Sequence, residues 1–182
     1  MSKRVAILAT HGFEESELKS PKEYIEQQGW TAEIVSLESG SIKSWAGKDW
    51  GPEYKVDKTL SEVTSGDYHA LVLPGGVINP DKLRVNEDAI AFVKSFFDEK
   101  KPVAAICHGP WTLINAGVVD GREVTSYPSV KQDLINAGAN WVDKEVVVDN
   151  GLVTSRTPDD LPAFNKKLVE EIKEGKHELQ HS

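Results

Sequence analysis

Residues Pro102–Trp111 read "PVAAICHGPW". Small apolar residues lead into Cys107, the only cysteine of the chain, and the pattern then breaks at once into histidine, glycine and proline. A short unbroken apolar run bounded by turn residues reads as a strand buried on both faces. Trp111 to Ala116 continues as a short helix that Gly117 ends. The unit is therefore strand, sharp turn, helix, with a thiol on the turn.

The same grammar recurs on either side. Arg4 to Ala9 is a second apolar run, followed by the turn-rich "THGFEES" and a helix from Glu17 to Gln28, with Gly29 as its stop and Pro21 in its first turn. "TAEIVSLE" alternates as a strand. Gly40 to Pro52, rich in glycine and proline, reads as a loop or hairpin excursion. "HALVLPGG" is another buried strand, cut off by Pro74, Gly75 and Gly76. Asn86 to Glu99 fits a helix with Ile90, Val93, Phe96 and Phe97 on one face.

Beyond the elbow, "VKQDLINAG" reads as a helix, and "EVVVDNGLVTSR" as two strands joined at Asn150-Gly151. Leu161 to Lys173 forms the closing helix, and residues 175–182 read as a frayed tail. Strands alternating with helices imply an α/β sandwich with a mostly parallel central sheet. Ligands of such sheets gather at the carboxyl ends of the strands. "THGFEESE", "PGGVINPD" and "CHGPW" all fall at those ends.

The chain has 182 residues and a net charge of −8, which fits one domain and argues against a broad nucleic-acid surface. A lone cysteine excludes an internal disulfide. The apolar run at Val5 to Ala9 is too short for a signal sequence or membrane span, so the expected setting is cytoplasmic.

At a strand-to-helix turn, Cys107 occupies a nucleophile elbow. The N-terminus of the following helix is expected to favour thiolate over thiol. The alternative is a small buried hydrophobe, as free cysteines often are. Position in the strand–turn–helix unit favours the functional reading. His108 is the obvious base, and its backbone N–H with one from Gly75-Gly76 would make an oxyanion hole. Glu14, Glu15 and Glu17 form an acidic cluster from which one carboxyl could turn inward to the thiol. The other histidines (His11, His69, His177 and His181) lack zinc-type spacing, so no metal or cofactor is expected.

"AICHGP", "LVLPGG", "FEESE" and "NAGANWVDKEVVVDNGLVTSRTPDDLPAF", with the order of elements, resemble the PfpI-type intracellular protease family. That family belongs to the class I glutamine amidotransferase-like superfamily. The likeness is closest to its general-stress branch and runs from about Arg4 to Glu171. It implies a flavodoxin-like three-layer sandwich and a homodimer that can assemble into hexamers. Cys107 then matches the nucleophile, His108 its neighbour, Glu17 the carboxylate bonded to the nucleophile, Gly76 an oxyanion-hole glycine, and Tyr127 a residue lining the site. In protease-like members a glutamate of the neighbouring subunit completes a triad. Asp81 stands at the matching position, one methylene shorter and on a loop one residue longer.

The resemblance implies cysteine chemistry on small reactive carbonyls or glycated substrates. Peptide hydrolysis, or a non-catalytic role as redox sensor or chaperone, is the alternative.

Overall fold

Four of the apolar runs become the centre of a single sheet in the computed structural model, which describes residues 2–180. The chain begins with β1 (Arg4–Leu8), α1 (Glu15–Gln27) and β2 (Thr31–Ser36). A hairpin of β3 (Ser41–Ala46) and β4 (Asp49–Lys55) follows, then β5 (Lys58–Thr59) and β6 (Ala70–Leu73). Next come α2 (Ile78–Leu83), α3 (Glu87–Asp98), β7 (Val103–Ile106) and α4 (Pro110–Ala116). The last part holds β8 (Glu123–Val124), α5 (Lys131–Asn136), β9 (Asn140–Trp141), β10 (Val147–Asp149), β11 (Leu152–Ser155) and α6 (Leu161–Glu174).

The main sheet runs β10-β11-β7-β6-β1-β2-β5, and every neighbouring pair is parallel except β10 with β11. Side-chain alternation divides its apolar residues between two layers. Val5, Ile7, Val72, Ala104, Ile106 and Val153 face α1 and α6, packing with Leu18, Ile25, Phe164, Leu168 and Ile172. Ala6, Leu8, Leu71, Leu73, Val103 and Ala105 face α3 and α4, packing with Phe92, Val93, Phe96, Phe97 and Leu113. This is the expected three-layer α/β sandwich with a mostly parallel sheet. Burying each large side chain among these contributes about 1.5–3 kcal/mol, so both strand faces must stay apolar. That requirement makes the runs readable as strands.

Asn150 (φ 47°) and Gly151 (φ 88°) both take left-handed backbone, as the two-residue turn between β10 and β11 demands. Three expectations change. First, α1 starts at Glu15, so Pro21 lies inside it and buried. Proline has no N–H to give the carbonyl of Glu17 one turn earlier. Second, the "PGGVINPD" loop contains α2, and Asp81 lies in that helix's first turn. Third, the tail is docked as far as Gln180, through His177 N–H to Lys100 O (2.9 Å) and Gln180 Nε2 to Lys101 O (3.2 Å). His181 and Ser182 lie outside the described residues. Among the described residues, no helix is long and apolar enough to cross a membrane.

Candidate active site

Parallel register brings the ends of β1, β6 and β7 to one edge, and with them the three loops. Cys107 follows β7 directly and has φ 63°, a left-handed conformation for a non-glycine residue. Such a position costs on the order of 1–3 kcal/mol and persists only when its surroundings impose it. Here Cys107 N–H donates to Ser155 O (3.1 Å), and Cys107 O accepts from Tyr127 N–H (2.9 Å). Two glycines leave room for the bend. A Cβ on Gly109 would lie 2.6 Å from Leu73 O, and one on Gly75 would lie 2.7 Å from Cys107 Cβ. The elbow is real, and its neighbours have to be glycine.

Cys107 is 8% exposed, and its Sγ lies 3.2 Å from His108 Nδ1. Sequence neighbours thus meet as a thiol–imidazole pair. His108 Nε2 lies 3.2 Å from Ser129 Oγ. The Tyr127 ring stacks on the imidazole at 4.8 Å, and Trp111 meets it edge-on at 4.9 Å. Burial lowers the His108 pKa below 6.5, so the ring is neutral at pH 7 and able to accept a proton.

Of the three acidic residues at the end of the first loop and the start of α1, Glu17 is the one turned inward. It is fully buried, and its Oε1 accepts from Gly75 N–H at 2.9 Å. Glu14 instead accepts from Gly47 N–H (3.3 Å), and Glu15 from the Tyr54 hydroxyl (2.8 Å). Burial, reinforced by the charge of Glu14, pushes the Glu17 pKa up to about 8. Its carboxyl is therefore protonated at neutral pH, facing the sulfur.

The expected thiolate does not follow from the helix behind the elbow. Burial pushes the thiol pKa up, and a charged Glu17 would push it further. The first turn of α4 offers the sulfur little. Pro110 has no N–H, while those of Gly109, Trp111 and Thr112 bond to Ile106 O, His108 O and Gly109 O. Only the N–H groups of His108 and Gly76 act on the sulfur to lower its pKa. They are the two groups expected to form the oxyanion hole. The proton on Glu17 removes the charge repulsion, and His108 supplies the base.

Sequence reasoning missed the parts that hold and wall this floor. Asn79, fully buried, accepts from Thr10 N–H (2.8 Å) and donates to Pro74 O and Gly75 O (3.1 Å each), tying the first loop to the second. The β3–β4 hairpin is fastened through Trp45 N–H to Phe13 O (2.7 Å) and Gly12 N–H to Lys43 O (2.8 Å). Above the sulfur lies a cavity of about 420 Å³ walled by Trp45, Val77, Ile78 and Pro158 together with Tyr127, the one wall residue named in advance, and lined also by Glu14, Glu17 and His108 but by no lysine or arginine. Asp81 is exposed on α2 and does not line this cavity. Its side chain has no contact with His108 among the bonds of the described residues.

A model of the DJ-1/PfpI family matches residues 3–171. General stress protein 18 of Bacillus subtilis (strain 168) is 46% identical over 93% of this chain and 97% of its own length. Protein/nucleic acid deglycase 2 of Escherichia coli (strain K12) is 45% identical over 93% of this chain and 97% of its own. The crystal structure of Drosophila melanogaster DJ-1beta superposes with a TM-score of 0.85 at 30% identity, covering 96% of this chain and 95% of the other.

Proposed function

This chain belongs to the DJ-1/PfpI family, and from that premise we propose that it is a cysteine-dependent enzyme acting on small reactive dicarbonyls and their adducts, in the manner of a deglycase or glyoxalase. The observation that carries this reading is the 3.2 Å approach of Cys107 Sγ to a neutral His108 at the floor of a small cavity.

With methylglyoxal as substrate, Cys107 Sγ bonds to the aldehyde carbon while its proton passes to His108 Nδ1. The carbonyl oxygen develops negative charge between the N–H groups of Gly76 and His108, then takes the proton as a hemithioacetal. Moving the hydrogen of that carbon to the neighbouring ketone carbon through an enediol gives a lactoyl thioester. Water attacks the thioester, the C–S bond breaks, and lactate leaves with the thiol restored. The sum is methylglyoxal plus water to lactate, with no external oxidant. A glycated amine, a carbinolamine at that carbon, would enter by displacement: Sγ bonds to the carbon, the C–N bond breaks, and the amine leaves with the proton His108 took from the thiol, giving the same hemithioacetal.

Aldehydes are electrophilic enough for a dyad. Amide hydrolysis asks more of the base, and the cavity suits a small molecule better than a chain segment. For a homodimer, Asp81 of a partner subunit is the proposed third member. Nδ1 is engaged with the sulfur, so that carboxylate would have to displace Ser129 from Nε2 to orient the ring. The lone thiol fits the reducing interior of a cell.

One feature supports a second role. A protonated Glu17 can donate to a sulfinate on Cys107, formed when two molecules of peroxide oxidise the thiol and leave as water. A ~+32 Da gain on the Cys107 peptide, abolished in Glu17→Ala, would support it.

The test of the main reading is lactate formation from methylglyoxal by wild type and by Cys107→Ala purified in parallel. Wild type should produce lactate and the variant none above buffer. Equal rates in the two proteins would overturn the assignment.

A further inference from the structure

A second cluster of ligating side chains lies at the other edge of the sheet from Cys107, beside the starts of β7 and β11. Glu171 and Glu174 stand one turn apart on the last turns of α6. Gly175 (φ 88°) then ends the helix and turns the chain back, so that His177 returns over the same face. His177 Nε2 lies 2.7 Å from Glu171 Oε2 and 3.8 Å from Glu174 Oε2. The three ligand atoms all fall within 4.8 Å of one another.

The inner side of this cluster is sealed. The Glu171 side chain is only 9% exposed and that of His177 17%. Glu171 Oε2 and His177 Nε2 are both shut off from solvent, and neither has an aligned hydrogen bond despite their closeness. An ordinary His–Glu pair would aim an N–H at the carboxylate. Here a buried carboxylate oxygen and a ring nitrogen converge without one, as they do around a shared cation.

The residue is also held in place. The backbone N–H of His177 donates to Lys100 O (2.9 Å), and the ring packs against Gly151, where a Cβ would lie 3.0 Å from it. Zinc bound at ~2.0–2.2 Å in tetrahedral geometry separates its ligand atoms by about 3.3 Å. The observed 2.7 and 3.8 Å bracket that value.

We propose that Glu171, Glu174 and His177 form a binding site for one divalent transition-metal cation, with zinc as the representative, which staples the tail to the end of α6. Glutamate and a lone histidine at a spacing of three and three fall outside the Cys/His spacings by which zinc sites are read from sequence. The expectation of no metal rested on those spacings. Water completes the coordination on the exposed Glu174 side. Binding would add to the stability of the folded chain, because the unfolded chain does not hold the three ligands together.

The experiment is calorimetric titration of the tag-free, chelator-treated full chain with Zn²⁺, in wild type, Cys107→Ala, Glu174→Gln and His177→Ala. Wild type and Cys107→Ala should each bind one equivalent. The other two variants should bind at least ~10-fold more weakly, a loss typical even of outer-shell partners of a metal. Glu174 is 63% exposed, so its variant keeps the fold even if His177→Ala loosens the tail. No saturable binding by wild type would overturn the proposal. So would binding that both Glu174→Gln and His177→Ala leave intact, or binding that vanishes only in Cys107→Ala.

Discussion

The floor of the cavity and its rim are built by opposite means. At the floor, the backbone is crowded on every side: a Cβ on Gly76 or Gly109 would come within 2.4–2.6 Å of main-chain oxygens, and one on Gly75 would lie 2.6 Å from Glu17 Oε1. At the rim, the β3–β4 hairpin is a two-stranded excursion outside the main sheet, fastened by a few backbone bonds and carrying the half-buried Trp45. The floor holds the reacting atoms within tight limits, whereas the rim decides what reaches them. Chemistry and selectivity should therefore separate on mutation.

The largest effect belongs to the floor. His108→Ala should lower kcat/KM by about 10²–10⁴, the usual contribution of a positioned acid–base group, with circular dichroism unchanged. Steady-state lactate formation measures it, and a loss under tenfold would mean that the imidazole is not the base. Gly109→Ala should act on folding instead, costing about 1–3 kcal/mol as an overpacked site does. In a chain of this size that lowers Tm by about 2–4 °C per kcal/mol. An unchanged melting curve would show that the elbow can relax.

Glu17 sharpens the contrast through pH. Its folded pKa, about 8, lies above the ordinary 4.5, so the folded state holds the proton more tightly than the unfolded chain does. That contribution is complete below pH 4.5 and is lost as pH rises through about 8. Denaturant melts across that window should show wild type losing stability relative to Glu17→Gln. Parallel profiles would mean that Glu17 is ionised. The smallest effect is expected at the rim. Trp45→Ala should raise KM several-fold with kcat unchanged, as loss of uniform binding does. A fall in kcat would break the separation of floor from rim.

How much of this was legible in the sequence follows the same division. Continuous apolar runs of about four to six residues bounded by turn residues are too short for buried helices and fit strands buried on both faces, so β1, β6 and β7 were readable, and the elbow with them. Asn150-Gly151 announced its turn through the backbone it requires. The hairpin's place over the site was not readable, because backbone bonds such as Trp45 to Phe13 carry no residue signature. Ser129, Asn79 and Pro158 reach the site only through the tertiary path of the chain. Pro21 misled because α1 begins at Glu15, two residues before the Glu17 start read from the sequence. The state of the thiol was misjudged for a related reason. Elbow geometry is local and visible in sequence, but burial is a property of the whole fold, and here it holds the proton on the sulfur.

The claim beneath all of this is that Cys107, a thiol at rest, is activated by the neutral imidazole beside it. The pH profile of Cys107 alkylation by a small electrophile such as iodoacetamide, in wild type and in His108→Ala, tests it directly. In wild type the rate should rise as His108 loses its proton, below pH 6.5, and be level at neutrality. In His108→Ala it should climb only in the alkaline range, where the buried thiol ionises unaided. Superimposable profiles in the two proteins would contradict the account.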